Sequence, residues 1–199
     1  MAVAMSKQMT VPSVAPPVGT TWLYEYGDDG TFEAPVTGTY KIEMHGGGGG
    51  AAYCVKTSDS SKKGLAGGGG SGEIYTQVLE KGSSHAITIG AGGTAGTDPN
   101  RHNSAQGSDG GTTTFGGLSI AGGGGAYVQT SSAIDPRAGA ASGSIASTDS
   151  GYSGVSNCPG GQGNINEPSQ TYGDGGNVVN NVPNAGQHGA VIITFMGVA

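Results

Sequence analysis

The sequence predicts an all-β protein: an antiparallel β-sandwich of jelly-roll type, with glycine-rich extended segments of polyproline-II character and long loops. Three observations predict it. Short runs alternate apolar and polar residues with period two, and turn residues separate them. No stretch carries a helical repeat. Glycine supplies 42 of 199 residues, about three times its usual share of roughly 7%.

Glycine loses more conformational freedom on folding than any other residue, so this composition costs entropy that packing must offset. Disorder usually accompanies high net charge and few β-branched or aromatic residues. Here the formal charge is −6 and charged residues are only 11%, while strand-like runs recur, so a folded domain is expected. Eight Lys and Arg leave no basic stripe for phosphates, and nucleic acid is not an expected partner. No apolar run approaches the roughly 18 residues of a membrane helix. The start, Met1-Ala-Val-Ala-Met-Ser-Lys7, lacks the apolar core of a signal peptide.

Residues 1–19 read as an arm. Val11–Gly19 carries three prolines, which fix φ and withhold donors, so the segment is extended and suits contact with another protein. Residues 20–199 form the β domain. Trp22, Tyr24 and Tyr26 share one face of a first strand. Gly27-Asp-Asp-Gly30 turns the chain into Thr31–Pro35, and Pro35-Val-Thr-Gly38 turns it again. In Thr39–His45, Tyr40, Ile42 and Met44 point one way, and Lys41, Glu43 and His45 the other. Glu73–Leu79 and His85–Ile89 flank Glu80–Ser84, which reads as a hairpin turn. Gly116-Gly117 marks a second hairpin, between Thr112–Phe115 and Leu118–Ile120. Ala190–Met196 is an apolar run suited to a central strand.

Glycine tracts stand at 46–50, 67–70 and 122–125. Flexible linkers are one reading of such tracts. The other is side-by-side extended segments, because only a residue without Cβ lets backbones approach so closely. Recurrence at strand ends favours the second. No strict three-residue period exists, which excludes a collagen helix. Residues 126–188 are rich in Ser, Asn, Gly and Gln and form a loop-rich region, of a length that is often functional.

Catalytic patterns fail. Gly90-Ala-Gly-Gly-Thr-Ala95 superficially matches a dinucleotide fingerprint, but a turn follows where a helix is needed. Gly92–Asp98 resembles one calcium-binding nonapeptide, with a residue too many and no stacked repeats. Asp28, Asp29 and Asp109 read as turn residues. His45, His85, His102 and His188 have no metal-ligand spacing. No Gly-x-Ser-x-Gly elbow is present. No enzyme activity, cofactor or metal is expected. Cys54 and Cys158 read as reduced residues, with a disulfide between them left open.

A binding surface does fit. Loops of Tyr, Ser, Gly and Asn join rigid rings to adaptable hydrogen bonding. Tyrosine rings over sugar faces, with Asn or Gln on hydroxyls, suit a glycan. The candidates are Tyr127, Tyr152, Asn164, Asn166, Gln170 and Tyr172; each alone also fits a solvated loop residue. A thin apolar core favours self-association.

Gly30–Gly50, Gly72-Glu-Ile-Tyr75 leading to Ile87–Gly93, Gly110–Phe115, Ala121–Gly125 and Gly189–Thr194 together resemble the glycine-rich domain of bacteriophage tail fibres. That resemblance spans roughly residues 20–199. It implies a virion protein assembled in the host cytoplasm and acting outside, a trimer that binds a host surface glycan or protein. The alternative is a purely structural virion component, joined to other virion proteins through the arm. The sequence departs from full-length fibres in lacking shaft repeats.

Overall fold

The structure, a computed structural model, describes residues 14–55, 62–98, 104–129, 157–158, 172–180 and 182–199. Among them no helix occurs. The elements fall into a β-sandwich, a bundle of glycine-rich segments, and a far end of short strands.

The sandwich strands are β1 (Thr21–Glu25), β2 (Gly30–Glu33), β3 (Gly38–His45), β6 (Gly72–Leu79), β7 (Ser84–Thr88), β10 (Thr113–Phe115), β11 (Leu118–Ile120) and β16 (Ala190–Val198). The far end holds β4 (Ala52–Val55), β5 (Lys62–Leu65), β8 (Gly96–Asp98), β9 (Ser104–Gln106), β12 (Tyr127–Gln129), β13 (Asn157–Cys158), β14 (Val178–Val179) and β15 (Val182–Pro183). One sandwich sheet runs β1-β16-β3-β6 and the other β11-β10-β7-β2, with every neighbouring pair antiparallel. The apolar run 190–196 is indeed central, between β1 and β3. The hairpin at Gly116-Gly117 also forms, with Gly116 at φ 55°.

The expected hairpin at Glu80–Ser84 does not form. Its two flanking strands, β6 and β7, belong to different sheets. The turn carries the chain across the sandwich, and Ala34 ties to it through bonds with Ser83 and Gly82. A tight turn looks the same in sequence whether its strands pair or part.

The core between the sheets comprises Phe32, Tyr40, Ile42, Met44, Leu79, Ile87, Ile89, Phe115, Ile120, Val191, Ile193 and Phe195, with Trp22 and Tyr24 packed on it. Aromatic rings knit it: Trp22–Phe32 and Phe32–Tyr40 meet edge to face with centroids 5.3 and 5.8 Å apart, and Tyr40–Phe195 meet tilted at 5.3 Å. Such pairs add about 0.5–1.5 kcal/mol each beyond burial. Tyr26 leaves this face, exposed and stacked on His188 at 4.1 Å. On the opposite face of β3, Glu43 and His45 are buried although the alternation places them outward. Glu43 sits between Lys41 Nζ at 3.5 Å and His45 Nε2 at 3.3 Å, and the Tyr172 ring lies against His45.

His85 stacks flat on Phe115, ring centroids 5.1 Å apart, and burial lowers its pKa from 6.5. A lowered folded-state pKa means the unfolded chain takes up the proton first. Stability from this group is therefore whole above 6.5 and is lost as pH falls below it. Acidification from about pH 7.5 to about pH 5.5 is expected to lower the melting temperature, and less so in His85→Phe, which keeps the stacking. Equal slopes in both proteins would refute this assignment.

The glycine tracts are ordered. Residues 46–51 leave β3 and run through the middle of six other segments. Their N–H groups donate outward in rotation: Gly46 and Gly49 to Ser71 and Gly68, Gly47 and Gly50 to Gly111 and Ser108, Gly48 and Ala51 to Gln187 and Asn184. Their carbonyls accept in the same rotation: Gly47 and Gly50 from Gly123 and Ala126, Gly48 and Ala51 from Gly93 and Gly96, and Gly49 from Gly176. Partners that repeat every third residue are the signature of three residues per turn, the polyproline II repeat.

The six outer segments close a ring through their own backbone bonds, in the order 67–71, 121–126, 107–111, 90–96, 184–189 and 173–177. Directions alternate around it. Segments 90–96, 121–126 and 173–177 run parallel to 46–51; the other three run back to the sandwich. A polyproline II helix has no internal hydrogen bonds, so this lattice supplies what a buried backbone needs. It also explains the glycine. A Cβ on Gly46, Gly47, Gly48, Gly49 or Gly50 would fall well inside 3.0 Å of the carbonyl oxygens of Ala121, Ala91, Asp174, Gly124 and Thr94 respectively.

Candidate functional site

The candidate site is the end of the bundle remote from the sandwich. Segments 46–51, 90–96, 121–126 and 173–177 deliver the chain there, into β4, β8, β12 and β14; β5, β9 and β15 start the three returns. The strands pair as β5-β4-β8, β9-β12 and β13-β14-β15, with β4 and β8 parallel. Their core is small: Ala52, Cys54, Leu65, Ala105 and Ala126 form one cluster, and Ala51 with Val178 another. Such small clusters suffice because the backbone lattice behind them also holds the strands.

Side-chain bonds brace the segments that lead there. Asp109 Oδ1 accepts from Gly125 N at 2.7 Å, and Ser108 Oγ from Thr94 N at 2.7 Å. Asn184 Nδ2 donates to Asn177 Oδ1 at 2.6 Å. Asp29 Oδ1, in the sandwich, accepts from Ile89 N at 2.8 Å. Asp29 and Asp109 thus serve as backbone acceptors. Asn180, with φ 50°, makes the turn from β14 to β15, and exposed Val179 and Val182 face each other beside it.

Of the sequence candidates, Tyr127 opens β12 at this end and is half-buried. Tyr172 lies at the opposite end, beside the sandwich. Its hydroxyl donates to Glu25 Oε1 at 2.6 Å, and that carboxylate, with burial, pushes its pKa up to about 12. The two tyrosines therefore do not share a surface. Tyr152, Asn164, Asn166 and Gln170 lie outside the described residues, as do Cys158's side chain and His102. Residues 173–177 and 184–188, which composition places in the loop-rich region, are part of the bundle.

Sequence reasoning missed Tyr53. It is half-buried in β4, packs beside Val178 and Ala51, and its hydroxyl pKa is raised by burial. The alternation of Ala52, Tyr53 and Cys54 directly after a glycine tract was the available signal. Among the described residues no three His, Cys, Asp or Glu side chains gather as metal ligands. What this end offers is a set of short paired strands, and in sequence residues 56–61, 99–103 and 130–156 stand between β4 and β5, β8 and β9, and β12 and β13.

A family model described as a glycine-rich domain matches residues 27–197. No curated protein matches the chain.

Proposed function

We propose that this chain, which belongs to the glycine-rich domain family, is the host-binding module of a bacteriophage tail fibre or tail tip. The observation that supports this reading is the bundle: four of its segments lead into the short strands β4, β8, β12 and β14 at the end remote from the sandwich, and residues 56–61, 99–103 and 130–156 join strands of that end in sequence. A scaffold held by backbone bonds tolerates change in the loops it carries, which is what a receptor-binding surface needs. The longest connection is rich in Ser, Ala and Gly with Tyr152, and Tyr127 stands at its root. Rings with small polar neighbours suit a surface glycan or a protein epitope.

Labelled protein is expected to bind bacterial cells saturably and strain-selectively. Replacing residues 131–155 with a Gly/Ser linker of equal length should lower that binding by at least about tenfold, the equivalent of about 1.4 kcal/mol, with the thermal transition unchanged. Undiminished binding by the variant, or no binding of the parent to any strain, would remove this assignment.

A further inference from the structure

β6 (Gly72–Leu79) forms one edge of the sheet β1-β16-β3-β6. The other edge strands of the sandwich, β1, β2 and β11, have five, four and three residues, whereas β6 has eight. Proteins blunt their sheet edges by shortness, proline, lysine, a bulge or a covering element, and among the described residues β6 has none of these. Its register with β3 runs unbroken from Gly38↔Leu79 to His45↔Gly72. Its sequence, Gly72-Glu-Ile-Tyr-Thr-Gln-Val-Leu79, holds no Pro or Lys and is dominated by strand formers. Among the described residues β3 is the only strand paired with it, while Ile74 is 48% and Val78 60% exposed.

The strand is complementary to itself. Backbone groups point alternately to the two sides of a strand, so two copies of one edge mate antiparallel only where paired residue numbers sum to an even number. Directly opposite residues also share a face. Of the even registers, the one centred on Thr76 sets Ile74 of each copy against Val78 of the other, pairing the exposed apolar side chains of β6. It sets Tyr75 against Gln77, and Thr76 against itself on the two-fold axis, a cross-strand pair that stabilises sheets. It also brings Glu73 of each copy to the end where Lys81 of the other lies, two residues past the opposing Leu79. Residues 73–79 of both copies then make about seven backbone hydrogen bonds, within the roughly 5–15 of a specific interface.

We infer that β6 is the edge to which a second copy of this chain adds, antiparallel and about a two-fold axis at Thr76, so that the two sheets become one. β6 runs away from the bundle, so the paired copies point their bundles in opposite directions and both far ends stay clear of the contact. The pairing is closed and predicts a dimer, where the resemblance to tail fibres implies a trimer.

Sedimentation equilibrium of the full chain tests this. The expected species is a dimer. Thr76→Lys sets two ammonium groups face to face on the axis and should weaken dimerisation at least about tenfold, with the circular-dichroism spectrum unchanged. A parent that is a monomer or a trimer, or a Thr76→Lys dimer as tight as the parent, would overturn the inference. Cysteine cross-linking reads the register without adding charge, in a Cys158→Ser background. Thr76→Cys alone should give a cross-linked dimer under mild oxidation. Ile74→Cys alone should not, because the same position on the other copy lies about four residues, roughly 13 Å, along the strand. Ile74→Cys combined with Val78→Cys should link again. No link through Thr76→Cys, or equal linking through Ile74→Cys alone, would likewise overturn the proposal.

Discussion

Alanine in place of Gly48 is expected to abolish cooperative folding. Gly48 sits at the middle of the central segment, where an added methyl would fall onto the carbonyls of Asp174 and Gly173. Both are backbone atoms, so no rotamer change relieves the clash. They belong to a segment bonded to 67–71 and 184–189 as well as to the centre, so the displacement cannot stay local. Adding methylenes to a well-packed core costs about 1–3 kcal/mol when side chains can shift. With backbone on every side the cost is expected to exceed about 3 kcal/mol, a large part of a domain's net stability. Gly117→Ala is the control. Nothing lies within 4 Å of its Cβ position, and its stability should stay within about 0.5 kcal/mol of the parent. Thermal unfolding followed by circular dichroism reads both. A Gly48→Ala protein melting like the parent would refute the lattice.

Much of the sandwich was legible because its signals are local. Tyr40, Ile42 and Met44 alternate as a one-faced strand must, and their side chains are all fully buried. The burial of His45 was not legible, because the ring packed against it is that of Tyr172, 127 residues further along the chain. The bundle was half legible. Three pure tracts are visible, but the other members carry Ala, Thr, Ser, Asp, Asn, Gln and His. Their shared feature is glycine at every third position, where a Cβ would run into neighbouring backbone: Gly90, Gly93 and Gly96; Gly107 and Gly110; Gly173 and Gly176; Gly186 and Gly189. Each run is only two or three glycines long, and in a chain holding 42 such short runs are indistinguishable from chance. The three-residue period missing from the chain as a whole is present segment by segment, and pairing between segments, not sequence, gives it meaning. The same holds for the candidate site: Tyr127 and Tyr172 look alike in composition, yet one sits at the far end and the other at the sandwich.

Thr113→Val should cost about 2–4 kcal/mol although it preserves shape. Thr113 is fully buried where sandwich and bundle meet. Its hydroxyl donates to His45 O at 2.7 Å and accepts from Gly90 N at 3.0 Å. It thereby joins the end of β3, the start of the segment 90–96 and the start of β10. Valine fills the same volume but leaves a carbonyl and an N–H buried with no partner there. Each such group costs about 1–3 kcal/mol, and water cannot enter a place so closed. Thr113→Ser keeps the hydroxyl and loses one methyl, a cost of about 1 kcal/mol. Denaturant unfolding of the three proteins separates the two contributions. If valine and serine cost the same, the hydroxyl does not bridge, and the register between sandwich and bundle rests on the glycine lattice alone. If valine costs more, one side chain sets where the three segments begin, and so the phase in which the central segment's N–H groups meet their partners.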